Sequence, residues 1–221
     1  EWQRRSKKVD RDFDFESGVS DQVYVFAEKI LPAVQQTHGL YLTSENGEVS
    51  PTYFHSDCGG NTESANHVWG GTGRTQTVKD DFCPFNPKSQ WTLLLSPADI
   101  LNRLLRAHAI STQDQQSGLK SFEVVERNPS SRVQTIRVKF NNEKQILFTG
   151  QALRQIFGFA SLKSTMFSLQ ELPKSYLFSG KGAGHGVGLC QWGSRNWALR
   201  GFDFKKILAH YFPQSVLRPI L

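Results

Sequence analysis

Two short stretches concentrate the residues that could do chemistry. YFHSDCGGNTESANHVWGG (53–71) holds His55, Cys58 and His67 around a glycine pair, and GAGHGVGLCQWG (182–193) sets His185, Cys190 and Gln191 among five glycines. A glycine-rich loop between a strand and a helix can cradle phosphate. GAGHGVG, however, lacks the GK[ST] ending of a P-loop and the early βαβ position of a dinucleotide fingerprint. Glycines also permit positive φ and a ligand's close approach to the backbone, which suits the floor of a groove for an extended polymer. His185, flanked by Gly184 and Gly186, has no local apolar face to bury against and reads either as a ligand-facing group or as a brace of the loop. Gln191 both donates and accepts hydrogen bonds, as sugar hydroxyls and acetamido groups require, or else supports a helix start.

The chain has three cysteines, Cys58, Cys83 and Cys190. With His55 they offer enough nitrogen and sulfur for a tetrahedral zinc site, although no C-x-x-C pair is present. A Cys58–Cys83 disulfide in an oxidising compartment and buried free thiols are the competing readings, and an odd count leaves at least one thiol outside any internal bridge. A nucleophilic Cys58 paired with a histidine is a further reading, without a helix start or basic neighbour to lower its pKa. Glycosidic cleavage would need a carboxylic acid to protonate the leaving oxygen. Glu48, Asp57, Glu63, Asp80 and Asp81 are the nearby carboxylates, and each reads first as a solvated loop group.

These stretches must be held by a scaffold, and 221 residues with 38% hydrophobic and 21% charged content suffice for a packed core without staples. No apolar run is long enough to span a membrane. The opening, EWQRRSKKVDRDFDF, has neither an initiator methionine nor an apolar signal region, which suggests a processed or truncated product. The net charge is +6 and the pI about 9.3. Beyond Arg4, Arg5, Lys7 and Lys8 the cations are scattered, so the reading is no nucleic acid, and an anionic cell-wall polymer or a solvated basic surface accounts for the charge.

Apolar spacing predicts a helix over 21–39, and Asn46-Gly47 predicts a hairpin whose second strand ends at Phe54-His55. Residues 56–91 are rich in turn formers, as functional loops are. SPADILNRLLRA (96–107) reads as a helix capped by Ser96. Strands are expected at 120–127, 132–140 and 144–149, followed by a short helix capped by Thr149 and a strand over LKSTMFSLQEL. A strand at 175–180 feeds the glycine loop, and two helices end the chain. The pattern predicts an α+β fold with mixed, mostly antiparallel sheets.

Together the two stretches resemble the stage II sporulation protein D (SpoIID/LytB, amidase-enhancer) family. YFHSDCGGNTESANHVWGG is similar to its YF-(H/S)-S-x-(C/S)-GG-x-T-E-x-x-x-x-VW segment, and GAGHGVGLCQWGS to its G-x-GHGVG-(M/L)-x-QWGA segment. AVQQTHGLYL, LKSTMFSL and YFPQSVL add smaller echoes. The resemblance runs from about residue 20 to the C-terminus. It implies residues 1–19 as a basic remnant of the family's N-terminal portion and 20–221 as a peptidoglycan-binding domain, with an inserted β-rich subdomain at about 92–170. It also implies export to the periplasm or cell envelope and binding of peptidoglycan glycan strands. Two activities follow from it: part of a lytic transglycosylase acting on denuded glycan, or a noncatalytic module that stimulates a partner cell-wall amidase. The family's catalytic glutamate belongs to an upstream EMP segment that has no counterpart in this sequence. Residue by residue, the groove positions carried over are His55, Ser56, Cys58, Gly59, Gly60, Thr62, Glu63, His185, Gly186 and Gln191. Some sporulation members resemble zinc proteins with Cys and His ligands, whose spacing does not map onto Cys58, Cys83 and Cys190.

Overall fold

A computed structural model describes residues 30–71, 75–83 and 86–219. The basic segment 1–19 and the first part of the predicted 21–39 helix lie outside the described residues. The chain divides into two units, one of residues 1–51 with 214–221 and the other of Thr52–Pro213.

In the first unit, α1 (Leu31–Thr37) has Pro32 in its first turn, where the missing N–H costs nothing. Strand β1 (Leu40–Thr43) pairs antiparallel with β10 (Val216–Pro219), from Leu40↔Pro219 to Thr43↔Val216. The Asn46-Gly47 turn forms, closed by the Ser44 amide donating to the Glu48 carbonyl at 2.7 Å. Its return strand is only an isolated Thr43↔Val49 bridge. The expected hairpin partner, Phe54-His55, is a separate short strand, β2 (Phe54–His55), because Ser50-Pro51 interrupts the run.

In the second unit, after the short helix α2 (Ala65–Trp69), strand β3 (Gln90–Leu95) starts an antiparallel sheet. That sheet has the order β3-β8-β7, with β7 at Phe167–Leu172 and β8 at Ser175–Lys181. Helix α3 (Pro97–Arg106) starts in a capping box of Ser96 and Asp99. A second box, Ser111 with Asp114, opens α4 (Thr112–Ser117), which has too few apolar residues for periodicity to reveal it. Strands β4 (Leu119–Arg127), β5 (Val133–Phe140) and β6 (Gln145–Thr149) form a meander that leads into α5 (Gly150–Phe157). The pairing is mostly antiparallel and the class is α+β, as predicted. Among the described residues no helix is long and apolar enough to cross a membrane.

The core lies between these two sheets and α3 and α5. Phe178 sits 5.4, 5.9 and 6.0 Å from the rings of Phe167, Phe122 and Phe157. Each buried phenylalanine of this kind contributes about 1.5–3 kcal/mol through removal of its surface from water. Strand β8 leaves this core and delivers the chain at Lys181 into the glycine loop. The loop leads to β9 (Leu189–Cys190), α6 (Gln191–Leu199) and α7 (Phe204–Tyr211).

Candidate functional site

Backbone pairing zips the two motifs together. Strands β2 and β9 run parallel, with Phe54 opposite Leu189 and His55 opposite Cys190. Asp57 and Ala183 exchange both amide bonds at 2.8 and 2.9 Å, Glu63 N–H donates to Gly186 O at 2.8 Å, and Trp192 N–H donates to Ser56 O at 3.1 Å. The indole of Trp91 holds the start of the glycine loop by donating to Gly182 O at 2.9 Å.

The bare backbone of the loop makes room for the protein itself. A Cβ at Gly186, whose φ is +86°, would lie 2.5 Å from the guanidinium of Arg132. One at Gly193, inside α6, would lie 2.0 Å from Asp80 Oδ2 and 2.1 Å from the Tyr211 hydroxyl. The sequence suggested close approach of a ligand at these glycines; at these two the approaching groups are buried side chains.

His55 and His185, one from each motif, pack with tilted rings next to an aromatic pair. His55 is buried, and its Nδ1 lies 3.1 Å from Val187 O, so Nδ1 carries the proton and donates. Burial, followed by the nearby Arg132 charge, lowers its pKa to about 4 and keeps the ring neutral. His185 Nδ1 accepts the Val187 amide at 3.0 Å, and the same ring interacts with the Phe54 carbonyl. Burial, then His55, Arg154 and Arg132, lowers its pKa to about 3. With its nitrogens engaged by backbone, His185 offers a ring face. Its centroid lies 5.6 Å from His55 and 5.0 Å from Trp69, which in turn is 4.9 Å from Tyr53. Trp69, at the end of α2, is 48% exposed, and Phe54 is 46% exposed.

The remaining predicted groove residues separate into exposed and buried sets. Ser56 and Gln191 are exposed and adjoin each other through the Trp192–Ser56 bond, and Gly60 is half-buried. Cys58, Gly59, Thr62, Glu63 and Gly186 are buried. Thr62 Oγ1 accepts the Val78 amide at 2.8 Å. The Glu63 carboxylate accepts from the Ser64 amide, from His67 Nδ1 at 2.7 Å, from Thr77 and from the Ser130 hydroxyl, so all its capacity is spent inside the protein. Asp57 is likewise enclosed, bonded to the Gly59 amide, the Cys83 thiol and the Asn86 amide group; burial raises its pKa.

The three cysteines meet although they come from distant segments. Cys58, Cys83 and Cys190 are unlinked, fully buried thiols. With Asp80 they place four ligand atoms within 4.8 Å of one another, and His55 is outside this set. Cys190 caps the N-terminus of α6. Its sulfur accepts the amides of Cys58 at 3.2 Å and Gly193 at 3.3 Å. Hydrogen bonds from the Cys58 and Cys83 thiols and these amides lower the Cys190 pKa to about 5, while the Cys58 thiol is pushed up. Asp80 Oδ1 accepts the amides of Phe82 and Cys83 at 3.1 Å each, and Oδ2 accepts the Tyr211 hydroxyl at 2.6 Å.

The sequence reading missed Arg132 and took Asp80 for a solvated loop carboxylate, whereas both are fully buried beside the cysteines. Arg132 is fully buried; its Nη2 donates to Cys58 O at 2.8 Å, while Nε and Nη1 find no partner among the described residues. Nothing local marks it. Asp80 carries one usable signal, its D-x-x-C spacing to Cys83. A cavity of about 880 Å³ lined by Trp91, Arg127, Phe167 and Lys181 includes none of the predicted site residues.

Comparison with known proteins agrees with the motifs. Residues 85–188 match a family described as a domain of unknown function, DUF8618. An uncharacterized protein of Brachyspira hyodysenteriae is 29% identical, over 90% of this chain and 52% of its own length. The amidase enhancer of Bacillus subtilis is 27% identical, over 84% of this chain and 32% of its own. Stage II sporulation protein D of Bacillus amyloliquefaciens is 28% identical, over 84% of this chain and 49% of its own. The chain thus spans about half or less of the length of these relatives. In its two interlocked motifs and in these similarities, the chain is similar to the amidase enhancer and to stage II sporulation protein D.

Proposed function

We propose that the chain binds peptidoglycan glycan strands at the cell envelope, along the surface edged by Trp69, Phe54, Ser56 and Gln191. The similarity to the amidase enhancer and stage II sporulation protein D supports a peptidoglycan-related role. The observation that carries the finer reading is the ring series Tyr53, Trp69, His185, centred on a half-exposed indole, with Ser56 and Gln191 exposed on the same two motifs. An indole face stacks on the C–H face of a pyranose, and serine and glutamine serve its hydroxyl and acetamido groups. A net charge of +6 favours an anionic polymer.

The motif carboxylates Asp57 and Glu63 are buried and internally bonded, which supports binding rather than cleavage by these two groups. In this reading any lytic transglycosylase chemistry rests on a glutamate outside the chain. The name of the amidase enhancer relative supports a second role, stimulation of a partner amidase by the glycan-bound chain.

Co-sedimentation with purified sacculi and with denuded glycan strands tests the reading. Trp69→Ala is expected to weaken binding about tenfold, the equivalent of one lost ring contact, and Trp69→Phe to weaken it less. Failure of the unaltered chain to sediment with either material refutes the binding role. The appearance of 1,6-anhydro-muramoyl ends by mass spectrometry would show that the chain itself cleaves.

A further inference from the structure

We propose that Cys58, Cys83, Cys190 and Asp80 hold a structural zinc ion beneath the paired motifs. Tetrahedral zinc with Zn–S near 2.3 Å and Zn–O near 2.0 Å separates two sulfurs by about 3.8 Å and a sulfur from an oxygen by about 3.5 Å. Cys83 Sγ and Cys190 Sγ are 3.5 Å apart, and Cys58 Sγ and Asp80 Oδ2 are 3.4 Å apart. A disulfide would need sulfurs at about 2.05 Å and would strand the third cysteine. These two separations are close to the edges of a metal tetrahedron and exceed those of a bridge, and all four ligand atoms lie within 4.8 Å of one another.

The surroundings suit a charged centre. Gly60 N–H points at Cys58 Sγ at 3.3 Å, while the amides of Cys58 and Gly193 point at Cys190 Sγ. Such N–H···S bonds stabilise thiolates and orient them. Asp80 is fixed through the Phe82 and Cys83 amides and the Tyr211 hydroxyl. Zinc held by three thiolates and a carboxylate is a centre of net charge −2. The buried Arg132 guanidinium, bonded to the Cys58 carbonyl and with Nε and Nη1 otherwise unpartnered, supplies a compensating cation.

Four protein ligands close the coordination sphere, which marks a structural role rather than a catalytic one. The ligands come from the turn after β2, from the Asp80–Cys83 turn and from the start of α6, so the ion ties both motifs to a third segment.

The test is metal analysis of the purified chain with its native thiols. One zinc per chain is expected, with a zinc-edge X-ray absorption shell of three sulfurs and one oxygen. Cobalt substitution should give thiolate-to-cobalt charge transfer and tetrahedral visible bands. Cys58→Ser, Cys83→Ser and Cys190→Ser should each weaken zinc retention at least tenfold against a chelator, whereas His55→Ala retains it. The spectroscopic measurements use the unaltered protein and so stand even where a variant fails to fold. Three reactive thiols with no zinc bound, even after titration with the ion, overturn the proposal. A disulfide in the purified protein, or a nitrogen ligand lost with His55→Ala, overturns it as well.

Discussion

Gly193→Ala tests whether the groove's glycines are dictated by the protein's interior. In an ordinary helix the change gains about 1 kcal/mol, because alanine loses less backbone entropy. Here the new Cβ would meet Asp80 Oδ2 at 2.0 Å and the Tyr211 hydroxyl at 2.1 Å, whereas a carbon and an oxygen in van der Waals contact stand more than 3 Å apart. The pair must move by about 1 Å, and the 2.6 Å bond between Tyr211 and Asp80 is lost or distorted. A hydrogen bond to a charged acceptor contributes about 1.5–3 kcal/mol, and forcing a methyl into a packed site costs about 1–3 kcal/mol. After the propensity gain the net loss is about 2–4 kcal/mol, which for a chain of this size lowers Tm by roughly 5–15 °C. The assay is thermal unfolding by circular dichroism, with Ser194→Ala as the control. That neighbour carries a buried hydroxyl without a partner among the described residues, so its removal should leave Tm unchanged or higher. A Gly193→Ala protein as stable as the parent would refute the close-approach reasoning.

Three further outcomes follow from the same structure. His185 has a pKa of about 3 when folded and near 6.5 when unfolded, so the unfolded state takes up the proton first as the pH falls. Stability is therefore lost from about pH 6.5 downward, by about 2 kcal/mol at pH 5 from this residue, and urea titrations of His185→Asn should show a flatter acid limb. Arg132→Gln removes the buried cation beside the cysteines and is expected to cost about 3 kcal/mol or more by chemical denaturation; a loss below 1 kcal/mol would show that its charge is not needed. Leu153→Ala, at a fully buried core position on α5, should cost about 3 kcal/mol.

The elements with strong local signals were legible in the sequence. Ser96-Pro97 with Asp99 announced α3, and alternation across 119–149 announced the meander β4 to β6, because caps and pleat periodicity are encoded within a few residues. Helix α4 was missed because TQDQQS has no apolar period, although Ser111 stands before it as the same kind of N-cap that was read from Ser96 at α3. The hairpin over 40–55 failed for the opposite reason. Its turn chemistry was right, but Phe54-His55 takes its partners from Leu189-Cys190, and no local pattern encodes a pairing across 135 residues. The site shows the same division. The motif cysteines and histidines stood out by type, while Asp80 and Arg132 acquire meaning only from neighbours brought by the fold. The glycines were recognised as demanding space, yet at Gly186 and Gly193 the occupant is a buried side chain.

The parallel contact between β2 and β9 has a consequence for how the protein comes to exist in time. Nothing can pair with His55 until Cys190 has been synthesised, so the floor of the site forms late on any route. The intervening β3–β8 pairing brings Gln90 opposite Lys181 and so closes most of the span beforehand. If that core folds first, the segment left to close shrinks from 135 residues to roughly 45, and the closure entropy falls by about 1 kcal/mol. The central sheets thus act as a splint that draws two remote ends of the chain together before either can work.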